Sequence, residues 1–231
     1  MKNNSPNGFP FWKRTLDCAI VLSTFPLLLL IGLVVMAVIR CGSRGPVLFC
    51  QQRMGYKERL FTCYKFRTMC LDAKTDSHRD HARQLIAADL PMTKLDKIGD
   101  PRLIPFGAVL RATGLDELPQ VINVLAGEMS IVGPRPCIPY ECELYSPWQR
   151  RRLNAVPGLT GLWQVSGKNR TTFNEMVRFD IEYSERSSLW LDLAIIARTL
   201  PALWTQFWDS RPSSKADVVP SSGVLAKPVE S

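Results

Sequence analysis

Histidine is nearly missing from this 231-residue chain, which has only His78 and His81. A Ser-His-Asp or Cys-His mechanism would have to draw on that one polar stretch, which reads as a solvated helical face. Cysteine occurs seven times, at 18, 41, 50, 63, 70, 137 and 142, an odd number with no C-x-x-C spacing. That argues against a zinc site and a secreted disulfide framework, and for scattered reduced thiols. The absence of G-x-G-x-x-G removes the dinucleotide fingerprint, and no D-x-D pair occurs. "GLWQVSGKN", from Gly161, approaches a P-loop. It has one residue too many between its glycines, and Asn169 where Ser or Thr should hold magnesium. No internal repeat is present. Acidic residues are in short supply, with 29 Lys and Arg against 21 Asp and Glu, a net charge of +8. The excess points to an anionic partner (nucleic acid, phospholipid headgroups or a phosphorylated substrate) without choosing among them.

What is present is a folding composition, 46% hydrophobic and 22% charged, with room for one soluble domain and a membrane element. Residues 19 to 39, "AIVLSTFPLLLLIGLVVMAVI", carry no charge. A straight helix of that length is roughly 30 Å, about the thickness of a hydrocarbon core. The run is too long for a signal-peptide h-region, and no small-residue cleavage site follows. Pro26 interrupts it, and a sharp bend there would leave arms of roughly 10 and 20 Å. Both flanks are basic, with Lys13 and Arg14 before and Arg40 and Arg44 after. Positive charge at both ends suits a helix that enters and returns on one face, while a kinked spanning helix also fits. A second apolar stretch, 189 to 208, contains Asp192, Arg198 and Pro201 and is a poor span. It fits an interfacial helix or a buried core helix. The last residues, from 209, have the composition of a disordered tail.

Residues 46 to 69 predict a β-hairpin around a turn at Gly55 to Arg59. Residues 71 to 90 read as helical, and after Pro101 the pattern is short helices joined by Gly/Pro-rich loops. Ser146-Pro147 and the Thr172/Glu175 capping box each predict a helix start. In "TGLDELPQVINVLAGEMSIVGPRP", residues 113 to 136, Leu118, Val121, Ile122 and Leu125 follow helical spacing, and Gly127 is a stop. Pro119 must then fall in the first turn, which makes Asp116 the expected N-cap and Glu117 the first helical residue.

Acidic residues are favoured at helix starts, so capping alone explains Asp116-Glu117. The same place has a chemical use. An ionised carboxylate there can bind Mg²⁺ or attack phosphorus to form an acyl phosphate. Arg111, Arg135 in "GPRP", and Lys65 and Arg67 in "YKFRTM" could supply phosphate partners. Taken singly, each is equally a surface residue.

"YKFRTM", "LRATGLDELPQVINVLAGEMSIVGPRP" and "RLNAVPGLTGLWQVSGKNR" together resemble the bacterial sugar transferases, the monotopic polyprenyl-phosphate phosphoglycosyltransferases. The likeness runs from residue 12 to about 205 and is greatest to members that initiate exopolysaccharide synthesis. It implies a helix-rich α+β fold with a re-entrant membrane helix, a small β-hairpin and short, partly interfacial helices. The corresponding division is an N-terminal tail at 1–11, the membrane helix at 12–41, a catalytic domain at 42–208 and a tail at 209–231. It also implies that a UDP-sugar gives its sugar 1-phosphate to a polyprenyl phosphate, with Mg²⁺, release of UMP and a covalent aspartyl-phosphosugar intermediate. Asp116 would be the nucleophile and metal contact, with Glu117 assisting metal positioning or proton removal. Arg111, Pro134, Arg135, Pro136, Lys65 and Arg67 would form the phosphate and nucleotide site. Lys168 and Arg170 are further candidates, where the family commonly has Gly-Arg-Asn and this chain has Gly167-Lys168-Asn169. The family's helix breaks at a Ser-Pro pair, here Phe25-Pro26, which makes Pro26 the expected break. The expected location is the cytoplasmic face of the bacterial inner membrane, with no nucleic acid partner and with oligomeric state open. A non-catalytic membrane-surface scaffold, or a hydrolase passing its aspartyl phosphate to water, would use the same features.

Overall fold

The longest uncharged run folds as one helix, α1 (Phe11–Gly42), in a computed structural model that describes residues 9–70, 76–92 and 102–209. The expected tail from 210 onward, and residues 1–8 of the N-terminal one, lie outside the described residues. Pro26 sits inside α1, and helical structure continues past it instead of ending there. Proline removes one N–H from the ladder. Just before it, the Ser23 and Thr24 hydroxyls donate to the Ile20 carbonyl at 3.0 and 2.7 Å. Both devices bend helices without ending them.

The side chains of α1 divide by face. Lys13, Asp17, Val21, Val35 and Ile39 are buried, whereas Leu22, Leu27, Leu30, Leu33 and Val34 are exposed. Only 11% of its most apolar window is buried within the protein. So much contiguous aliphatic surface is unfavourable in water and at home in lipid.

The hairpin forms where its β-rich runs predict it. β1 (Leu48–Met54) pairs antiparallel with β2 (Leu60–Phe66), with Gln51 opposite Cys63 and Arg53 opposite Phe61. Phe61 and Cys63 pack on Val21 of α1, and Phe66 packs on Val35 and Ile39, so the hairpin is fastened to both halves of the helix. Then come α2 (Asp76–Ala88), α3 (Gly107–Thr113), a 3-10 turn (Leu115–Gln120) and α4 (Val121–Ala126). β3 (Ser130–Val132) pairs in parallel with β4 (Gly158–Thr160), and α5 (Pro139–Glu143) and α6 (Pro147–Arg150) lie between them. Strands of three residues are too short to show periodicity, which is why the pattern did not announce this second ladder.

α7 (Leu162–Val165), α8 (Phe173–Arg186) and α9 (Leu189–Asp209) complete the chain. Ser146 and Thr172 cap α6 and α8 through the expected capping boxes. The second apolar stretch forms α9, which has a buried face, as the core reading expects, and an exposed one. Asp192 and Ile195 are buried, while Trp190 and Leu200 are 79% and 74% exposed. The class is the expected helix-rich α+β.

One buried cluster joins the first helix to the last. The Lys13 ammonium donates to Asp192 Oδ2 on α9 at 2.5 Å, to the Tyr183 hydroxyl at 2.8 Å and to the Val132 carbonyl at 2.8 Å. A turn later, Asp17 Oδ1 accepts from Ser130 Oγ and Ile131 N, both at 3.0 Å. Lys13→Met strands the Asp192 charge, and stability should fall by roughly 3–5 kcal/mol. Lys13→Met/Asp192→Leu removes both charges and should recover most of it. Chemical denaturation of the detergent-solubilised protein measures both.

Candidate active site

The carboxylate pair lies in a tight turn between two short helices. Gly114, at φ +73°, ends α3 and caps the 3-10 turn, so Asp116 and Glu117 both fall within its first turn. This differs from the expected N-cap and first helical position. Gly114 is the reason, because its left-handed backbone lets its carbonyl accept from Glu117 N at 3.0 Å and starts the turn at Leu115. The chain tightens to 3-10 geometry first, and the α-helix begins only at Val121. Gly127, at φ +78°, stops it as expected.

The apolar spacing marks a face that is covered only in part, with Leu118 and Val121 packed against core clusters. Ile122 and Leu125 are exposed, whereas Asn123 and Val124 are fully buried. Asn123 is satisfied there, donating to the Thr62 carbonyl at 2.7 Å and accepting from Tyr64 N at 3.2 Å. This ties the turn that carries the carboxylates to β2. The Arg14 guanidinium, from α1, donates to the Val124 and Leu125 carbonyls at the end of α4.

Asp116 and Glu117 line a cavity of about 650 Å³. Arg111, Lys65, Arg135, Pro136 and Lys168 line it too, so the fold gathers most of the expected residues from five separate segments. Ile20, Val21 and Leu28 of α1 and Ile196 and Leu200 of α9 supply an apolar wall. Lys65 Nζ pairs with Glu117 Oε1 at 2.6 Å. Burial works to raise the Glu117 pKa, but Lys65, then Arg135 and Lys168, hold it down at about 2. Glu117 is thus a fixed anion and a poor base.

Three expected residues stand elsewhere. Arg67 is buried off the cavity wall, its Nε donating to the Pro46 carbonyl at 2.6 Å and its Nη2 to the Ser43 carbonyl at 3.3 Å. It fastens the chain leaving α1, a structural task. Arg170 is exposed and is not part of the cavity wall. Pro134 acts through its carbonyl, which accepts from Gly158 N at 2.9 Å.

The "GPRP" loop is gripped at three successive carbonyls. Pro134 O is held by Gly158 N, Arg135 O by Arg152 Nη2 at 3.1 Å, and Pro136 O by Arg53 Nη1 at 3.0 Å. Arg152 is buried, and Asp180 Oδ2 neutralises it at 2.6 Å. Sequence reasoning missed Arg53, Arg152, Gln164 and Glu141 on the cavity wall. Arg152 and Gln164 lie within the quoted stretch 152–170 but carried no assigned role, and Arg53 and Glu141 lie outside every quoted motif; the four converge only through the fold.

With this geometry in view, comparison with known proteins is direct. The pattern of the family described as Bacterial sugar transferase matches residues 9–206. The exopolysaccharide production protein ExoY of Sinorhizobium fredii is 38% identical over 191 residues, covering 83% of this chain and 84% of that protein. The undecaprenyl-phosphate galactose phosphotransferase of Salmonella typhimurium is 41% identical over 197 residues, 82% of this chain and 40% of that longer protein. The UDP-glucose:undecaprenyl-phosphate glucose-1-phosphate transferase of Caulobacter vibrioides is 40% identical over 205 residues, 84% of this chain and 70% of the relative. The chain belongs to the bacterial sugar transferase family. Its class of activity is that of a phosphoglycosyltransferase.

Two outcomes follow from the site. A Cβ at Gly133 would lie 2.2 Å from the Val156 carbonyl oxygen. Gly133→Ala should therefore cost about 2–3 kcal/mol and displace the Arg135 loop, read as a lowered melting temperature. Glu117 has a depressed pKa, so its contribution is complete above its ordinary value of 4.5 and is lost as pH falls toward about 2. Denaturation curves across that window should show a slope that Glu117→Gln flattens.

Proposed function

We propose that the chain transfers a sugar 1-phosphate from a UDP-sugar to undecaprenyl phosphate, the first membrane step in building an exopolysaccharide or related surface glycan. The observation that carries this reading is the shape of the cavity. Its cations and carboxylate pair share one cavity with apolar side chains from the long apolar helix and α9. A water-soluble hydrolase needs no such lining, and a lipid phosphate acceptor does.

In this reading an Asp116 carboxylate oxygen attacks the phosphorus that carries the sugar. The phosphorus–oxygen bond to the nucleotide breaks and UMP leaves, which yields an aspartyl-phosphosugar. An oxygen of the acceptor phosphate dianion then attacks the same phosphorus and releases Asp116 as a carboxylate. No proton need move in either step, which suits a Glu117 held near pKa 2. Glu117 instead holds Lys65 at the cavity wall. Arg111, Arg135 and Lys168 offset phosphate charge, and burial in a low-dielectric cleft strengthens each contact.

Mg²⁺ fits this donor set. Among the described residues no cluster of three or more acidic, His or Cys ligands forms a protein cage. Magnesium at phosphoryl-transfer sites commonly takes one or two carboxylates, with substrate phosphates and water completing the shell. Asp116, whose side chain lines the cavity, is the ligand we assign. When bound, the ion would neutralise charge on the diphosphate.

The re-entrant, monotopic reading of α1 is supported by its attachments. Lys13 and Asp17 fasten one end, and Val35 and Ile39 the other, to the same body. A spanning helix would place those ends on opposite sides of a hydrocarbon layer roughly 30 Å thick. The basic flanks favour the cytoplasmic face.

Purified protein with Mg²⁺, undecaprenyl phosphate and either UDP-galactose or UDP-glucose should release UMP. Asp116→Asn should lower the rate by at least about a thousandfold while the protein stays folded and membrane-bound. Near-normal turnover by that variant would sink the covalent mechanism.

A further inference from the structure

Four basic side chains are buried in the described structure: Lys13, Arg53, Arg67 and Arg152. Three have evident compensation. Lys13 pairs with Asp192 and Arg152 with Asp180. Arg67 donates to two main-chain carbonyls just beyond the C-terminus of α1, where the helix dipole favours a cation. Arg53 differs. It is 7% exposed, and its acceptors are the Pro136 carbonyl and the Gln51 side-chain oxygen, both neutral. Its Nε has no partner. Among the described residues no carboxylate lies within ion-pair distance of it, while Arg135 adds a like charge nearby. Burial and then Arg135 depress its pKa, and the carboxylates of Glu141 and Glu117, beyond ion-pair distance, offset this only in part.

A buried charge without a counter-ion costs several kcal/mol, and a fold retains one where something repays it. Arg53 lines the cavity from the hairpin, joined to the "GPRP" loop through the Pro136 carbonyl. One N–H of Nη1 is spent on the loop and one of Nη2 on Gln51, which fixes the guanidinium plane and leaves each terminal nitrogen a second, oriented N–H, while Nε is sealed within the protein. An oriented arginine donor beside a second arginine fits a phosphate oxyanion.

We propose that Arg53 binds a phosphate oxyanion of the substrate, with its backbone contact to Pro136 serving to aim it. This rests on the phosphoglycosyl-transfer reading for the identity of the ligand, though not for its chemistry. The oxyanion can come from the nucleotide donor or from the lipid acceptor, and two titrations separate them.

UMP and undecaprenyl phosphate are each titrated into full-length protein in detergent, with inorganic pyrophosphate as a probe independent of the reaction. Arg53→Gln keeps a donor for Pro136 and loses the charge, and Arg53→Lys keeps the charge and loses the fork. Arg53→Gln should weaken binding of pyrophosphate and of one substrate by about tenfold or more, and Arg53→Lys by less. Weakened UMP binding assigns the donor, and weakened undecaprenyl phosphate binding assigns the acceptor. If Arg53→Gln does not fold, Arg53→Lys carries the test. Affinities within about twofold of wild type for all three ligands, in a folded variant, overturn the proposal. Failure of the wild type to release UMP from UDP-sugars would instead overturn the functional reading, and the pyrophosphate titration would still decide the role of Arg53.

Discussion

A single ammonium group, Lys13 Nζ, holds the two ends of this fold together. It sits among Asp192, the Tyr183 hydroxyl and the Val132 carbonyl, and so joins α1, α8, α9 and β3 at one point. The need for it follows from α1 itself. Most of that helix turns aliphatic surface outward, so packing alone cannot orient it against the body. A charge buried in a low-dielectric setting has few places where it is satisfied, and that selectivity gives the helix its register. Burial, then Asp192, raises the Tyr183 pKa, so its proton remains to meet the Asp192 carboxylate. Asp17 repeats the device one turn on with Ser130 and Ile131.

The site depends on that docking. Arg14, next to Lys13, closes the end of α4, and Asn123 of α4 fixes the turn bearing Asp116 and Glu117 to the hairpin that bears Lys65. The membrane helix is therefore part of the framework of the cavity and supplies one of its walls. Chemistry on a lipid phosphate requires an apolar surface and a polar phosphate site side by side. Here one helix face exposes aliphatic side chains suited to lipid while the other holds polar groups in place.

The two carboxylates also divide in role through their surroundings. Lys65, Arg135 and Lys168 keep Glu117 charged despite burial, which fits it to hold cations and unfits it to accept protons. The loop carrying Arg135 is fixed by its backbone, with three successive carbonyls occupied, so its side chain can face the cavity without the loop yielding. Gly133 and Gly158 allow this, because a Cβ at either would overlap the neighbouring strand.

Local signals carried the hairpin, the capped starts of α6 and α8, the stop at Gly127 and the long apolar helix, because each depends on neighbours within a few residues. The motifs around Asp116, Arg135 and Lys65 named the centre of the site. What stayed hidden was decided by contacts distant along the chain. Periodicity found an apolar face on α4, but only the fold shows that Ile122 and Leu125 stay uncovered while Asn123 is buried. Arg67 and Arg170 read as phosphate ligands, yet one anchors a loop and the other stands off the cavity. Arg53 lay outside every quoted motif and Arg152 opened one without an assigned role, and their meaning depends on whether a carboxylate lies nearby. The sequence alone determines which residue types are available and where helices and turns begin. Tertiary structure decides which charges are paired and which medium each face meets, because burial and counter-ions are properties of three-dimensional neighbours.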